Sequence, residues 1–422
     1  MKIINTCEQI KATFVDGFNI DLWRKYTEEI SNELPSKCEN DAKGYDFEKD
    51  VLPVLDLALN NEKIDFVSKN FQSVIKTLNS NLDKLFDKEP DINIVLYLGL
   101  CNGAGWATTL DGKNTVLLGI EKIIELGWGD ETNMRALILH EIGHLWHKLN
   151  GNLHIPEYTK RRKGIAQLYC EGVAMVCEHI LCGDDEFYHQ DKNGWLNWCY
   201  ENENDIKKEY LRRLNEKESV QDFFGDWCSY NGRSDVGYFF GCRFVRFLMK
   251  TNSLKEIANM KYKVLNKAFK EFANTVIEPL KLEEYSKCSN IWNMKAQPLT
   301  EKWREEIAKG NRLVFIYKIN GEFVGEGALV IDTGDPDYTL PDKRVYVSRM
   351  IVKKEYRNRG IGSEILEFLI KKAKEMGFSE MTIGVDKDNE NALHLYRKYG
   401  FTEVLFDGED EDGEYFKLMK KI

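Results

Sequence analysis

The sequence predicts two domains in one chain of 422 residues: a mainly helical α+β domain over residues 1–290 and a smaller α+β domain over 291–422. Three observations predict this. The chain is longer than one hydrophobic core ordinarily serves, since single cores stop growing at about 250–300 residues. Composition changes along it: all ten cysteines lie at or before Cys288 and all nine tryptophans at or before Trp303. Residues 1–290 hold 37 basic and 45 acidic groups against 22 and 24 in 291–422, so most of the net charge of −10 sits in the first part. Finally, two separate motifs, at 140–144 and 357–362, each demand their own helices and strands. The boundary is expected at 280–295, with Glu278–Glu284 and Ser286–Asn290 as the link. No long Gly/Ser- or Pro-rich linker separates the halves, which predicts packed rather than freely swinging domains.

In the first domain, residues 1–90 are expected to be mostly helical. Phe47–Leu59 and Phe66–Phe86 carry apolar residues near the helical period, with Ser31–Tyr45 as a loop. Ile92–Leu98 reads as a strand, and a catalytic core is expected over about 90–250. Gly129-Asp130-Glu131-Thr132-Asn133 supplies helix-capping residues, and the apolar run Met134–Leu139 follows. It leads into His140-Glu141-Ile142-Gly143-His144. On a helix this places two imidazoles one turn apart on one face with a carboxylate between them, as a zinc-dependent hydrolase requires. Catalytic zinc keeps three protein ligands, so a third is needed. His147 is rejected, because three ligands from one straight helix cannot close around a tetrahedral ion. Glu171 is preferred: it stands alone in the apolar run Leu168–Val176, where a carboxylate is costly to bury unless paired or bound to metal. An ion pair of Glu171 with an arginine such as Arg162 is the competing explanation, and His154 and Glu178 are the weaker ligands. Lys160–Lys163 is expected to be a solvated loop, Cys170 and Cys177 small core hydrophobes, and Ser253–Ala273 one helix.

HEIGH followed by Glu171-Gly172-Val173-Ala174 resembles the gluzincin metallopeptidases with an HExxH…EGxA signature, over roughly residues 90–250. The resemblance implies zinc held by His140, His144 and Glu171, with Glu141 as the general base toward water. It implies that Gly103-Ala104-Gly105-Trp106-Ala107 forms the edge that meets an extended substrate backbone, and that Tyr238 stabilises the oxyanion.

In the second domain Val345–Val352 reads as a strand. The turn Arg357-Asn358-Arg359-Gly360-Ile361-Gly362 follows, then an amphipathic helix over about 363–375. Backbone N–H groups at a glycine turn and a helix N-terminus make an anion cradle. A second strand, Met381–Val385, precedes Asn389–Phe401, and Phe323–Val330 reads as another strand. Together these segments resemble the GNAT superfamily of acyl-CoA-dependent N-acyltransferases over about 291–422. The resemblance implies an α+β domain with a central mixed sheet and acetyl-CoA as co-substrate. Ile351 and Val352 would hold the pantetheine arm through their backbone, and Arg357, Arg359, Gly360, Ile361 and Gly362 the pyrophosphate. Asn389 would contact the pantetheine, and Tyr396 would protonate the departing thiolate. Glu326 is a candidate base whose strand leaves both a buried and a solvent-facing position open. The acidic run Asp407–Glu414 reads as a hairpin loop.

No apolar h-region follows Lys2-Ile3-Ile4, and no 18-residue apolar run is evident, so the chain is expected to be cytoplasmic, with reduced cysteines and no membrane span. A net charge of −10 argues against general nucleic-acid binding. The expectation is a bifunctional enzyme, a zinc-dependent peptide or amide hydrolase joined to an acetyl-CoA-dependent N-acetyltransferase. Its substrates would be small molecules or peptides with amide and amine groups, as in peptide-antibiotic detoxification or peptide-metabolite processing. The alternative is an acetyltransferase whose first domain only recognises or regulates.

Overall fold

The computed structural model describes residues 1–422 except 152–154, 156–157 and 411–412, and only the backbone of Asn61. It divides into two compact units, Met1–Phe269 and Lys270–Ile422. The division precedes the expected link because Thr275–Pro279 is already a paired strand of the second unit.

The first unit holds a four-stranded sheet of β1 (Lys2–Asn5), β2 (Ile92–Tyr97), β3 (Gly105–Leu110) and β4 (Lys113–Gly119), in the order β1-β2-β4-β3. β1, β2 and β4 run parallel, while β3 is antiparallel to β4 and forms an edge. Most of β2 and β4 is apolar and buried, as strands covered on both faces require. Asp111 and Gly112, at φ 48° and 75°, close the β3–β4 hairpin with the left-handed pair that matches strand twist.

The HEIGH segment lies on a helix, Glu131–Asn150, whose N-cap Asp130 accepts from the backbone N–H groups of Thr132 and Asn133. The next long helix, Lys160–Cys182, is capped by Thr159 and stopped by Gly183 at φ 77°. Lys160–Lys163 is therefore its first turn rather than a loop, because the Thr159 hydroxyl satisfies the N–H of Arg162. By length and composition this helix could cross a bilayer, contrary to the expectation from the sequence, yet 72% of its apolar window is buried inside the unit. The two helices cross closely at Gly143, where a Cβ would stand 2.9 Å from the Ala174 carbonyl oxygen. That glycine, between the two histidines, lets Glu171 come level with them.

Other expectations shift locally. Residues 31–45 contain a helix, Leu34–Ala42, with Pro35 in its first turn, where a missing N–H costs nothing. Phe47–Leu59 divides into a π-turn and the helix Leu52–Ala58, and Phe66–Phe86 into Asn61–Thr77 and a 3₁₀ segment, Leu78–Lys84. Ser253–Ala273 is two helices, Leu254–Ala258 and Tyr262–Ala273, the first closed by a Ser253–Glu256 capping box.

Glu121 ties the loop after β2. Fully buried, it accepts from the N–H groups of Gly99 (2.8 Å) and Cys101 (3.2 Å). Burial outweighs these bonds and pushes its carboxyl up to about 7. A raised folded-state value makes the contribution complete below about pH 4.5 and lost as pH rises through about 7. Wild type should therefore lose up to about 3 kcal/mol more stability than Glu121→Gln between pH 4.5 and 7.5, read from urea unfolding at both pH values.

The second unit is built on a mixed seven-stranded sheet of β5 (Thr275–Pro279), β6 (Arg312–Ile319), β7 (Glu322–Val330), β8 (Arg344–Val352), β9 (Glu380–Asp386), β10 (Glu403–Asp410) and β11 (Gly413–Lys421). The order is β10-β11-β9-β8-β7-β6-β5, and only β8–β9 is parallel. The helix Ile361–Glu375 makes the β8–β9 crossover, burying Ile365, Leu366 and Leu369 with Val345, Val347 and Ile383 in the unit's core. The strands β10 and β11 continue through most of the acidic segment expected to be loop, with Lys387 paired to Asp407 and Glu414.

Candidate functional site

In the first unit, Nε2 of His140 and Nε2 of His144 each lie 3.3 Å from the same Glu171 carboxylate oxygen, Oε2. His140, His144 and Glu171 are the one group of three potential ligands among the described residues whose donor atoms gather within 4.8 Å. A tetrahedral zinc ion bound at about 2.0–2.1 Å separates its ligand atoms by about 3.3 Å. Donor chemistry and these two separations thus fit zinc. The competing Arg162 pair does not form: Arg162 stacks over Tyr262, 4.5 Å from the ring centroid. His147 turns away to Tyr169 (3.0 Å), and His154 lies outside the described residues.

Glu178 is not a ligand. Two turns beyond Glu171 and fully buried, it places one oxygen 3.1 Å from Nδ1 of His140 and the other 3.1 Å from Nδ1 of His189. A carboxylate accepts, so Nδ1 of His140 donates to Glu178, while its Nε2 faces the Glu171 carboxylate. Burial would lower the His140 pKa, but Glu171 and Glu178 outweigh it and hold the ring at about 10. Burial would likewise raise Glu178, but His189 and His140 outweigh it and hold it at about 2. His144 and His140 keep Glu171 well below the carboxylate range despite burial.

Glu141 sits against β3. A Cβ at Gly105 would stand 2.5 Å from Glu141 Oε1, so any larger residue there must push the Glu141 side chain aside. The cleft of about 520 Å³ in front of these groups is lined by β3 from Gly105 to Thr109, by Glu141, Glu171 and both histidines, and by Tyr238, Lys37 and Lys148. Tyr238 lies on the helix Val236–Met249 with its ring 5.6 Å from that of His140. Burial pushes its hydroxyl well above the usual phenol value, so it stays a donor. Sequence reasoning missed the role of Glu178, although its seven-residue offset from Glu171 put it on the same helical stripe. It also missed Lys148, two turns beyond Glu141 on the same helix, and His189 and Lys37, which tertiary structure alone brings in.

In the second unit, β8 and β9 pair only from Arg344↔Glu380 to Val347↔Ile383. Beyond that β8 runs on to Val352 and β9 to Asp386, so the strands part beside Ile351 and Val352. Arg357 Nε donates to the Val352 carbonyl at 3.0 Å. Arg359 pairs with Glu271, and its guanidinium lies 5.3 Å from the Tyr356 ring centroid. Gly360, at φ 76°, turns the chain into the helix Ile361–Glu375, whose first N–H groups are those of Ile361 and Gly362. Asn389 caps the helix Glu390–Lys398 by accepting from Ala392 N–H. Tyr396 on that helix is buried, which raises its hydroxyl above the usual value and keeps it protonated. Glu326 takes the buried of its two expected positions. It accepts from Trp292 Nε1 at 2.8 Å and lies 3.5 Å from Arg349 Nε, and burial raises its carboxyl.

A model of the acetyltransferase (GNAT) family matches residues 277–401. An uncharacterized N-acetyltransferase from Lactobacillus delbrueckii subsp. lactis is 29% identical over 125 residues, 29% of this chain and 70% of the relative. An N-alpha-acetyltransferase from Sulfurisphaera tokodaii is 32% identical over 116 residues, 25% of this chain and 70% of the relative. A solved GNAT family acetyltransferase from Elizabethkingia anophelis with acetyl-CoA bound is 20% identical, covering 35% of this chain and 99% of that one at a TM-score of 0.27. Through its second unit, the chain belongs to the acetyltransferase (GNAT) family.

Proposed function

We propose that the chain is a bifunctional enzyme, a zinc-dependent peptide or amide hydrolase in its first unit and an acetyl-CoA-dependent N-acetyltransferase in its second. The observation carrying the hydrolase is convergence: three ligand-type atoms, a carboxylate beside them and an open strand edge all meet in one cleft. Zinc held by His140, His144 and Glu171 would supply Lewis acidity toward the scissile carbonyl and acidify water. Around it, the chain's own groups divide the work. The β3 edge pairs with an extended substrate backbone and aligns it. Glu141 takes the proton from attacking water and returns it to the leaving amine. Tyr238 donates to the oxygen that becomes negative. Glu178 and His189 hold His140 in one tautomer and orientation.

For the second unit, the backbone beside Ile351 and Val352 would pair with the pantetheine arm. Arg357, Arg359 and the N–H groups from Gly360 to Gly362 would hold the pyrophosphate. An acceptor amine attacks the thioester carbonyl and gives up a proton to a base, for which Glu326 is the candidate; the carbon–sulfur bond breaks, and Tyr396 gives its proton to the departing thiolate. A protonated Tyr396 and a buried carboxyl at Glu326, raised by its burial, support this division.

The deciding experiment is elemental mass spectrometry on the full chain and on Glu171→Ala, with acetyl-CoA turnover followed in both. About one zinc per wild-type chain, lost in the variant while acetyl transfer persists, is the expected result. Failure of wild type to take up zinc when offered would leave the first unit a non-catalytic recognition or regulatory module. The family match, confined to residues 277–401, is compatible with that second reading. Gly105→Ala gives a further check. Its Cβ displaces the Glu141 carboxylate, so hydrolysis should fall about 10²-fold at unchanged zinc content.

A further inference from the structure

Lys37 and Lys148 stand at the end of the cleft away from Glu141, and neither has a carboxylate within ion-pair distance among the described residues. Lys37 Nζ donates to Thr108 Oγ1 at 3.1 Å. Lys148 Nζ donates to Thr109 Oγ1 at 2.7 Å and to Asn114 Oδ1 at 3.0 Å. Neighbouring strand residues point to opposite faces, so the two ammonium groups flank the β3 edge from its two sides. An ammonium has three donors, which leaves both lysines with capacity for an anion. In a chain with ten more acids than bases, two cations in a substrate cleft are held only by neutral oxygens. Neither of the two acids that line the cleft, Glu141 and Glu171, pairs with these lysines.

The geometry supplies a ruler. Thr108 and Thr109 follow Gly105 by three and four strand residues, about 10–13 Å at roughly 3.3 Å per residue. Lys148 follows Glu141 by seven helical residues, about 10 Å along the axis. Strand and helix therefore place the cationic end at the same distance from the general base.

We infer that the first unit selects peptides bearing a carboxylate three or four residues from the scissile bond, which Lys37 and Lys148 grip across the β3 edge. This rests on the hydrolase reading above. The carboxylate comes either from an acidic side chain or from the peptide C-terminus.

The test separates binding from cleavage. Zinc-loaded full-length Glu141→Gln is titrated with an eight-residue Ala/Leu peptide carrying a neutral boron-dipyrromethene label, read by fluorescence anisotropy. Three forms are compared: one internal glutamate with an amidated C-terminus, no glutamate with a free C-terminal carboxylate, and neither. One of the first two should bind about tenfold more tightly than the neutral form, and which one identifies the source of the carboxylate. The preference should shrink in 0.5 M salt and vanish in Lys37→Met/Lys148→Met, while Lys37→Arg/Lys148→Arg retains it. Equal binding of all three forms, or a preference that survives the double methionine variant, overturns the inference. Cleavage by wild type is scored on the same peptides. Cleavage without discrimination sinks the inference alone, whereas acid-selective binding without cleavage sinks the hydrolase reading alone.

Discussion

Glu141→Gln is expected to slow peptide hydrolysis by roughly 10²–10⁴-fold while leaving about one zinc per chain. Glutamine keeps the length and planarity of glutamate, so the packing against Gly105 survives. What it loses is the capacity to accept a proton from water and pass it to the leaving amine. The Glu141 carboxylate is not among the three converged donors, so metal content should be indifferent to the change. His140→Ala supplies the contrast: it removes a donor, and both zinc and hydrolysis should go. Initial rates beside elemental analysis distinguish these outcomes. Loss of zinc from Glu141→Gln would move this residue into the ligand set, and an unchanged rate would remove it from the chemistry.

Gly362→Ala should weaken acetyl-CoA binding by about 10- to 100-fold without destabilising the second unit. A Cβ at Gly362 meets nothing of the protein closer than Leu395 Cδ2 at 3.6 Å, an ordinary contact. The residue lies within the helix Ile361–Glu375, where alanine is preferred to glycine by up to about 1 kcal/mol. The fold therefore has no use for glycine here, and the remaining reason for one is the close approach of a phosphate to the backbone. Calorimetric titration with acetyl-CoA, paired with a thermal melt, reads both halves. A tighter or unchanged affinity would take the pyrophosphate away from this turn.

Much of both sites was legible because helix periodicity and capping are local. Asp130 and the run to His144 specify a helix and its face without reference to anything distant, and the strand, Arg/Gly turn and helix at 345–375 do the same. Glu171 was legible for another reason, the cost of an isolated buried carboxylate in an apolar run. Local charge misled at Lys160–Lys163, where four cations look solvated but Thr159 supplies the cap that starts a helix. Ser31–Tyr45, read as a loop, holds a helix all the same, because its Pro35 sits in the first turn, where proline does not break one. His189 left no signal at all: it lies beyond the Gly183 stop, and only the tertiary path returns it to Glu178. Lys37 was hidden twice over, in a segment read as loop and touching β3 from 71 residues away in sequence.

The contact between Gly105 and Glu141 joins two positions 36 residues apart into one heritable unit. Gly105→Ala alone crowds the base, and Glu141→Asp alone withdraws it from the bond it serves. Combined, the shorter carboxylate clears the space that the added methyl group fills. The double variant should therefore be less impaired in hydrolysis than the sum of the single changes, a coupling of opposite sign to simple damage. Lineages that drift at one of these positions are expected to drift at the other, and glycine at 105 should persist wherever glutamate does at 141.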